Sequence, residues 1–568
     1  MLNTMIEKLT HTTPESRATV TQLSEQVANV IGADRDKLAE FVDAYHTFSG
    51  EHRATLSHIM NTPACDVKQN TSPKTCDSID YEALAHTFSD PRNNPSSQEL
   101  VDVANARGLH ALADRYCSDM PAEDGAMLIM RQYRTAQQLV TKGGNAEKAW
   151  KSYMHALQGL SMMDIDPYIY AALSSDPNTM GRWLPALTRA VERYNNRCGD
   201  GAVRIPTTIV AQVPLPLLQL SRLDYAQLSE EDHAMVNAWA RQTFHLDHVI
   251  NDPHHPGIVI KTGTFSSKYD ARNCIITDKK EIAETGSYLT YIAHQAAQMA
   301  SPLGFYVDEN GKECMVEKPS IPGVSCTNEY VVRDYIPDND HNPTIYHGLP
   351  LRCEVRAFID VEKDDPVMGI VPYWDKKMMV ATLDENASNG DVDSFYDATI
   401  VRAHTPILME IFEKHRHRLD TVVRGIAEEL QQDTSGDRLS TPSHTPGNRW
   451  SLDIMITDTC DMENKNHHVD AVTSQLWVID MAQAYSSAFY DTVVRSEEQR
   501  WEDTMYPWSV RYDQPARIIV DNGKLVMEES RLFLGGACRG VGTYVRRGQT
   551  STATDTRPQG SLRRQCEE

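Results

Sequence analysis

Charged residues interrupt several short apolar runs between residues 257 and 480, and this feature limits the possible folds most. The residues concerned are Lys261, Glu354, Arg356, Asp453 and Asp480. Each lies in or directly after a run of Ile, Val, Leu, Met or Phe with the composition of a buried strand. A charge on a buried strand costs free energy unless it contacts an opposite charge, a metal ion or a bound anion. Each of these charges therefore needs such a partner, or a place at a strand end where it reaches water or caps a turn.

Length and composition predict a soluble protein of several domains. The chain has 568 residues, with 55 Lys and Arg against 79 Asp and Glu, a formal charge of −24. This acidic balance argues against nucleic-acid or anionic-membrane binding by the whole surface. No run approaches the roughly 18–20 apolar residues that cross a bilayer, and the first residues lack the apolar core of a secretory signal. The 11 cysteines form no CxxC pair, so we expect a cytoplasmic protein with reduced thiols, without a disulfide framework or a zinc site.

The chain divides into four regions, and the mixture of helical and strand patterns predicts an α+β fold. Residues 1–175 have the pattern of helices joined by polar loops and are interpreted as an accessory region. Strands first appear in the region 176–330 and continue through the region 331–535. The tail 536–568 is rich in Gly, Thr and Arg and is predicted to be disordered.

The loop after Lys261 is rich in small residues. Its sequence, Thr262-Gly263-Thr264-Phe265-Ser266-Ser267-Lys268, follows the strand run 257–261. A lysine that ends a buried strand beside such a loop can place one cation and several backbone N–H groups around a polyphosphate. The GxxxxGK[ST] pattern of a P-loop is absent, and a lysine that is solvated or paired with a carboxylate remains the alternative.

The other charged strands allow two interpretations each. Glu354 and Arg356 are two residues apart and point to the same face of a strand, where they bind each other, a metal ion or a phosphate group. Asp453 and Asp480 either cap turns or ligate Mg²⁺, which favours one or two carboxylates together with substrate oxygens.

The order of these elements resembles the ATP-grasp superfamily over about residues 180–500. It looks closest to the cell-division-cycle branch, whose members assist the assembly of a translation initiation factor. The matching segments are IVIKTGTFSSKYDARNCII, EYVVRDYIP, CEVRAFID, MGIVPYWD, WSLDIMI and LWVIDMAQAY. The resemblance implies an α+β ATP-grasp fold whose two lobes grip ATP. It implies a phosphate-binding loop in the region 176–330 and a metal site in the region 331–535.

The resemblance also implies roles for single residues on the nucleotide side. Lys261 is implied to contact the α-phosphate and the adenine, and Lys268 to lie over the phosphates as a catalytic residue. The small residues implied to accompany Lys268 are Gly263, Ser266 and Ser267. The hinge whose backbone is implied to read the adenine edge consists of Val331, Val332, Arg333, Asp334 and Tyr335.

On the metal side, the resemblance implies Mg²⁺ as a cofactor beside ATP. Arg356 is implied to bind ATP and to stabilise the transferring γ-phosphoryl group. The implied metal ligands are Glu354, Asp453 and Asp480. Family members usually carry Asn two positions after the last acidic ligand, where this chain has Ala482 followed by Gln483. The second metal position therefore lacks its usual ligand, and Gln483 or a water molecule would have to replace it.

The implied activity is an ATP- and Mg²⁺-dependent ligase that joins a carboxylate to an amine or thiol through an acyl phosphate. Its expected partners are ATP and unidentified carboxylate and amine substrates. Two alternatives stay open: an ATP-binding assembly factor for a client protein, without ligase turnover, and a small-molecule phosphotransferase. Ala482 favours the assembly factor slightly, because loss of a metal ligand harms catalysis more than binding.

Overall fold

The computed structural model describes the following parts of the chain. They are residues 17–45 except 33 and 35, residue 173, and residues 178–198, 203–222, 228–300, 303–307, 313–317, 326–388 except 375, 391–433, 449–458, 474–493 and 515–528. Most of the predicted accessory region and the predicted disordered tail lie outside these residues.

Helices occur throughout the described ranges. They are α1 (Arg17–Ile31), α2 (Met180–Cys198), α3 (Leu215–Leu220), α4 (Glu230–Thr243), α5 (Leu246–Asn251), α6 (Lys279–Ile282), α7 (Thr285–Ala300), α8 (Lys376–Ser388), α9 (Val392–Gln431) and α10 (Tyr490–Val493). Residues 36–45 are also helical. Among the described residues, none of the helices combines the length and apolar character needed to cross a membrane.

The strands confirm the predicted α+β class. They are β1 (Val203–Arg204), β2 (Thr208–Gln212), β3 (Ile258–Thr262), β4 (Ile275–Ile276), β5 (Leu303–Val307), β6 (Glu313–Glu317), β7 (Glu329–Asp334), β8 (Thr344–Ile345), β9 (Leu349–Pro350), β10 (Glu354–Asp360), β11 (Val367–Pro372), β12 (Arg449–Asp458), β13 (Ser474–Gln483), β14 (Arg517–Asp521) and β15 (Lys524–Glu528). Two of the sheets carry the site, one with six strands and one with five.

The five-stranded sheet has the order β1-β13-β12-β10-β11. Its pairs are antiparallel except that of β1 with β13. The register sets Asp453 opposite both Arg356 on β10 and Asp480 on β13. Helix α9 and helix α2 pack on this sheet and share its core, which includes the fully buried Trp183 and Trp450. Three of the charged side chains singled out in the sequence are therefore neighbours across three adjacent strands.

The six-stranded sheet has the order β15-β14-β2-β7-β3-β4. Helices α4 and α7 share its core, and α4 begins with a reciprocal hydrogen-bonded capping box between Ser229 and Asp232. Helix α7 approaches α4 closely at Gly286, where a Cβ atom would lie 2.1 Å from the carbonyl oxygen of Val236. Only a residue without a side chain fits there.

Each of the two sheets contains a strand from the part of the chain that mainly builds the other sheet. Strand β1, from the region 176–330, pairs with β13 of the five-stranded sheet, and β14, near residue 520, pairs with β2 of the six-stranded sheet. Helix α1 packs on α9, where Ser24 is bonded to Thr399 and Arg402. Sequence boundaries at 175 and 330 therefore do not separate independent cores in the described part of the chain.

Two segments depart from what their composition alone favours. The prolines of VPLPLLQL favour an edge strand or an extended connection, but Leu215–Leu220 form helix α3. The N–H groups of Leu217 and Leu218 both donate to the carbonyl of Pro214, and prolines in a first helical turn lack only N–H groups that need no partner. The stretch 271–277 is a strand only at Ile275–Ile276, which form β4; Ala271–Asn273 form a 3₁₀ turn, in which the Asp270 side chain accepts a hydrogen bond from the N–H of Arg272.

Helix α9 carries a buried carboxyl group near its start. Asp397 is 6 % exposed and accepts a hydrogen bond of 3.1 Å from the N–H of Tyr346. Burial raises the pKa of Asp397 to about 8, with Asp393 and Asp391 adding to the rise against the Tyr346 hydrogen bond. This carboxyl therefore binds its proton more tightly in the folded state than in the unfolded chain.

Asp397→Asn is expected to stabilise the protein at alkaline pH. The raised folded-state pKa means that wild-type stability falls as the pH rises from about 4 towards 8, and the neutral amide escapes this loss. We expect the variant to exceed the wild type by roughly 2 kcal/mol in free energy of unfolding at pH 9, with the difference shrinking towards pH 5. Denaturant unfolding at several pH values measures it, with the exposed Asp364→Asn as the matched control. A difference that does not vary with pH would contradict this assignment.

Candidate functional site

A cleft of about 160 Å³ lies where the two large sheets face each other. Its walls come from β3, β7, β10, β12 and β13 and from the loop that follows β3. The residues of the predicted site that line it are Lys261, Ser266, Lys268, Arg333, Asp334, Tyr335, Glu354, Asp453 and Asp480. Arg356 lies beside it, bonded to Asp453. Residues that are far apart in sequence thus meet at one place.

Two residues of the predicted phosphate loop do not line the cleft. The N–H of Gly263 donates to the carbonyl of Glu329 at 3.1 Å, and a Cβ atom at Gly263 would lie 2.9 Å from the Glu329 carboxylate. Ser267 is 4 % exposed, and its hydroxyl donates to Gln295 at 2.5 Å. Both residues shape the loop from the inside, because their polar groups are used within the protein.

The first half of the predicted hinge is also placed away from the cleft. Val331 and Val332 are 0 % and 5 % exposed and lie in the middle of β7, which is paired with β2 on one side and β3 on the other. At the end of the strand, the N–H of Asp334 donates to the carbonyl of Thr207, and the N–H of the next residue, Tyr335, donates to the carbonyl of Gly257. The backbone N–H and C=O groups of Val331 and Val332 are therefore used within the sheet. An adenine base would have to contact the end of β7 instead.

An ion pair joins the two sheets across the cleft. Lys261 Nζ on β3 lies 2.8 Å from Asp480 Oδ2 on β13, and Lys261 is 5 % exposed. Arg333 on β7 donates to the carbonyl of Ile479, the residue that bulges where the β12–β13 register shifts. Burial alone would raise the pKa of Asp480, but Lys261 and Arg333 outweigh it and hold this pKa below its usual value. Asp480 thus stays ionised between two cations.

A second ion pair lies within the five-stranded sheet. Arg356 donates from Nε and Nη2 to the two oxygens of Asp453, each at 2.7 Å. The fork geometry gives two parallel charge-assisted hydrogen bonds. Arg356 is therefore paired with the carboxylate opposite it in register rather than with Glu354 on its own strand.

Lys268 and Glu354 stand without such partners. Neither side chain makes a hydrogen bond or an ion pair with any residue in the described ranges, although both line the cleft. Burial lowers the pKa of the Lys268 ammonium group and raises the pKa of Glu354 to about 7. A phosphate group near Lys268 and a cation near Glu354 would compensate the two charges, which makes this pair the part of the cleft most in need of a ligand.

The carboxylates suit a hard cation. Glu354, Asp453 and Asp480 lie on three adjacent strands and offer only oxygen donors, which Mg²⁺ prefers. Within the described residues, no three His, Cys, Asp or Glu side chains converge tightly enough to hold a metal ion by themselves. The reason is that Asp453 and Asp480 turn to Arg356 and Lys261. A site of one or two carboxylates completed by phosphate oxygens still fits.

The position after these ligands supplies no further donor. Ala482 lies opposite Ser451 on β12. The amide of Gln483 is buried, at 1 % exposure for the residue, and lies outside the lining of the cleft, while its backbone N–H donates to Asn178. Gln483 therefore does not replace the missing Asn.

Three lining residues were missed by sequence reasoning. Arg352 donates to the hydroxyl of Tyr335 at 3.0 Å, and the pair Tyr373-Trp374 follows β11. Arg352 is two residues before Glu354, and side chains two residues apart point to the same face of an extended chain. This spacing could have indicated that Arg352 lies on the side of the cleft. The aromatic pair follows no motif. Cys274 also lines the cleft, but burial raises the pKa of its thiol to about 12, which leaves too little thiolate for a nucleophile.

Comparison of the chain with protein-family models, with curated proteins and with solved structures finds no match. The geometry of the cleft is therefore the main support for a function.

Proposed function

We propose that the protein binds Mg·ATP in this cleft and uses it as an ATP-grasp ligase, joining a carboxylate to an amine or thiol. The observation that carries the proposal is the meeting of three cations, Lys261, Lys268 and Arg356, with the carboxylates of β12 and β13 between two facing sheets. A chain with a formal charge of −24 nevertheless concentrates cations here, of which Lys261 is buried, as binding of a polyphosphate requires.

Different residues would contact the phosphate groups, the metal ion and the base of the nucleotide. Lys261 and Lys268 would bind phosphate oxygens, and Asp453 and Asp480 would hold Mg²⁺ in place of the cations with which they are now paired. When bound, Mg²⁺ neutralises charge on the phosphates. The apolar side chains of Val259 and Ile275 lie on the wall shared with Tyr335, where a base would pack.

The chemistry follows from positioning and charge. A substrate carboxylate oxygen attacks the γ-phosphorus, the bond to the bridging oxygen breaks, and ADP leaves. An amine or thiol then attacks the acyl carbon, and inorganic phosphate leaves. Arg356 would stabilise the charge of the transferring phosphoryl group. No covalent enzyme intermediate is needed.

An ATP-binding assembly factor is the second candidate, and Ala482 favours it. This position adds no metal ligand, and Gln483 does not compensate for it. In that function ATP is a bound ligand or switch, and a surface of the protein holds a client protein.

Product analysis with ATP, Mg²⁺ and pools of carboxylates and amines separates the functions. The ligase predicts release of ADP and phosphate that depends on both substrates, with an amide or thioester product. A stable phosphoester formed with one substrate would instead identify a phosphotransferase. Nucleotide binding without any substrate-dependent ADP would contradict ligase activity and favour the assembly factor.

A further inference from the structure

An aromatic pair forms one wall of the cleft next to β10. The N–H of Tyr373 donates to the carbonyl of Glu354 at 2.9 Å, which fixes the backbone beside that strand. The rings of Tyr373 and Trp374 meet edge to face, with centroids 4.9 Å apart and planes at 76°. Trp374 is 8 % exposed, and its indole N–H has no acceptor among the described residues. Packing against Tyr373, rather than a hydrogen bond, therefore holds this indole.

The Tyr373 ring contacts two of the cations assigned to phosphate. Lys268 Nζ lies 3.9 Å from its centroid, and Arg356 Cζ lies 4.6 Å from it. Lys268 Nζ is also 5.2 Å from the centroid of Trp374. A cation is attracted to the face of an aromatic ring within about 6 Å, most strongly where both are shielded from water.

These rings are the groups that the Lys268 ammonium contacts directly. It makes no hydrogen bond or ion pair within the described ranges; the carboxylates of Glu354, Asp453 and Asp480 attract it from beyond ion-pair distance, and the Arg356 guanidinium opposes its charge. A lysine has four rotatable side-chain bonds, so the ring faces fix a position that these more distant charges leave open. Arg356 is held by Asp453 at present, but it would lose that partner if Asp453 ligated Mg²⁺.

We propose that Tyr373, with its ring fixed by Trp374, is a positioning residue that holds Lys268 and Arg356 in place for the phosphate groups of the nucleotide. This inference rests on the proposed function. Tyr373 acts through the two cations and does not itself have to touch ATP. Its contribution is therefore specific to the phosphate end, since base binding depends on Tyr335 and its neighbours.

Calorimetric titration of the full chain with Mg·ATP, magnesium tripolyphosphate and adenosine tests this assignment. For Tyr373→Leu we expect affinity roughly 3- to 30-fold weaker for ATP and tripolyphosphate, with adenosine unchanged. Tyr373→Phe keeps the ring face and should stay within about 2-fold of the wild type for all three. Tyr335→Leu is the matched control at the base end, where ATP and adenosine should weaken and tripolyphosphate should not.

Each remaining outcome decides against the inference. If Tyr373→Leu weakens all three ligands equally, Tyr373 only packs the cleft; if it weakens none, the ring does not position the cations. Tyr373→Met replaces the leucine variant if that variant does not fold. A wild-type protein that binds none of the ligands overturns the proposed function together with this inference, whereas normal wild-type binding with an unaffected leucine variant overturns the inference alone.

Discussion

Replacing Lys261 with methionine is expected to weaken Mg·ATP binding about 10- to 100-fold, the range for a charge-assisted hydrogen bond in a buried site. Lys261 is 5 % exposed and lies one residue before the end of β3, where it reaches Asp480 of the five-stranded sheet. Methionine keeps the length of the side chain and removes the charge, while Arg333 remains to balance Asp480. The shift of the thermal midpoint on addition of Mg·ATP, checked by calorimetry, measures the effect.

Lys280→Ala is the control for this substitution. Lys280 is an exposed lysine at the start of α6, outside the cleft. Its replacement should leave the Mg·ATP-induced shift within about 2-fold in affinity, because a surface charge at that distance is screened. Equal losses in both variants, or no loss in either, would show that Lys261 does not contact the nucleotide.

Asp480→Asn is expected to change nucleotide binding in opposite directions with and without the metal. In the free protein the Lys261 ammonium group is bonded to Asp480. Metal-free ATP therefore has to displace a carboxylate whose negative charge also repels the phosphate groups. The amide removes this competition, and metal-free ATP should bind roughly 10-fold more tightly. Mg·ATP should bind more weakly than to the wild type, because one carboxylate ligand is lost. Titrations in EDTA and in Mg²⁺ measure both changes.

The control for the metal effect is Asp334→Asn at the end of β7. Asp334 lines the cleft but pairs with His255 at 3.3 Å rather than with Lys261. This variant should leave the ratio of metal-free to metal-bound affinity within about 2-fold. Weakening of both titrations by the same factor in Asp480→Asn would argue against a carboxylate that exchanges a lysine for Mg²⁺.

The positions of the charged strands were predictable because their chemistry is local. An ionised residue inside an apolar run has few stable environments, and this singled out Lys261, Glu354, Arg356, Asp453 and Asp480 as candidate site residues. The structure brings them to one place. Which cation pairs with which carboxylate was not predictable, since pairing depends on strand order and register that a single sequence does not contain.

Segments governed by distant partners were also beyond the sequence. Strand β14 is positioned by pairing with β2, about 300 residues earlier in the chain. The local sequence of β14 does not indicate which strand it pairs with. Helix α3 was not predictable either, because proline is common both in edge strands and in the first turn of a helix. The role of Tyr373 and Trp374 in the cleft could be recognised only from the fold, which places their rings beside the Lys268 ammonium group.

A calorimetric titration of the full wild-type chain with Mg·ATP decides whether this cleft is a nucleotide site. We expect saturable binding at one site per chain, accompanied by a rise in the thermal midpoint, since ligand at 100 times its dissociation constant adds about 2.7 kcal/mol of stability. Absence of both the binding heat and the midpoint shift at millimolar Mg·ATP would contradict a nucleotide site in this cleft.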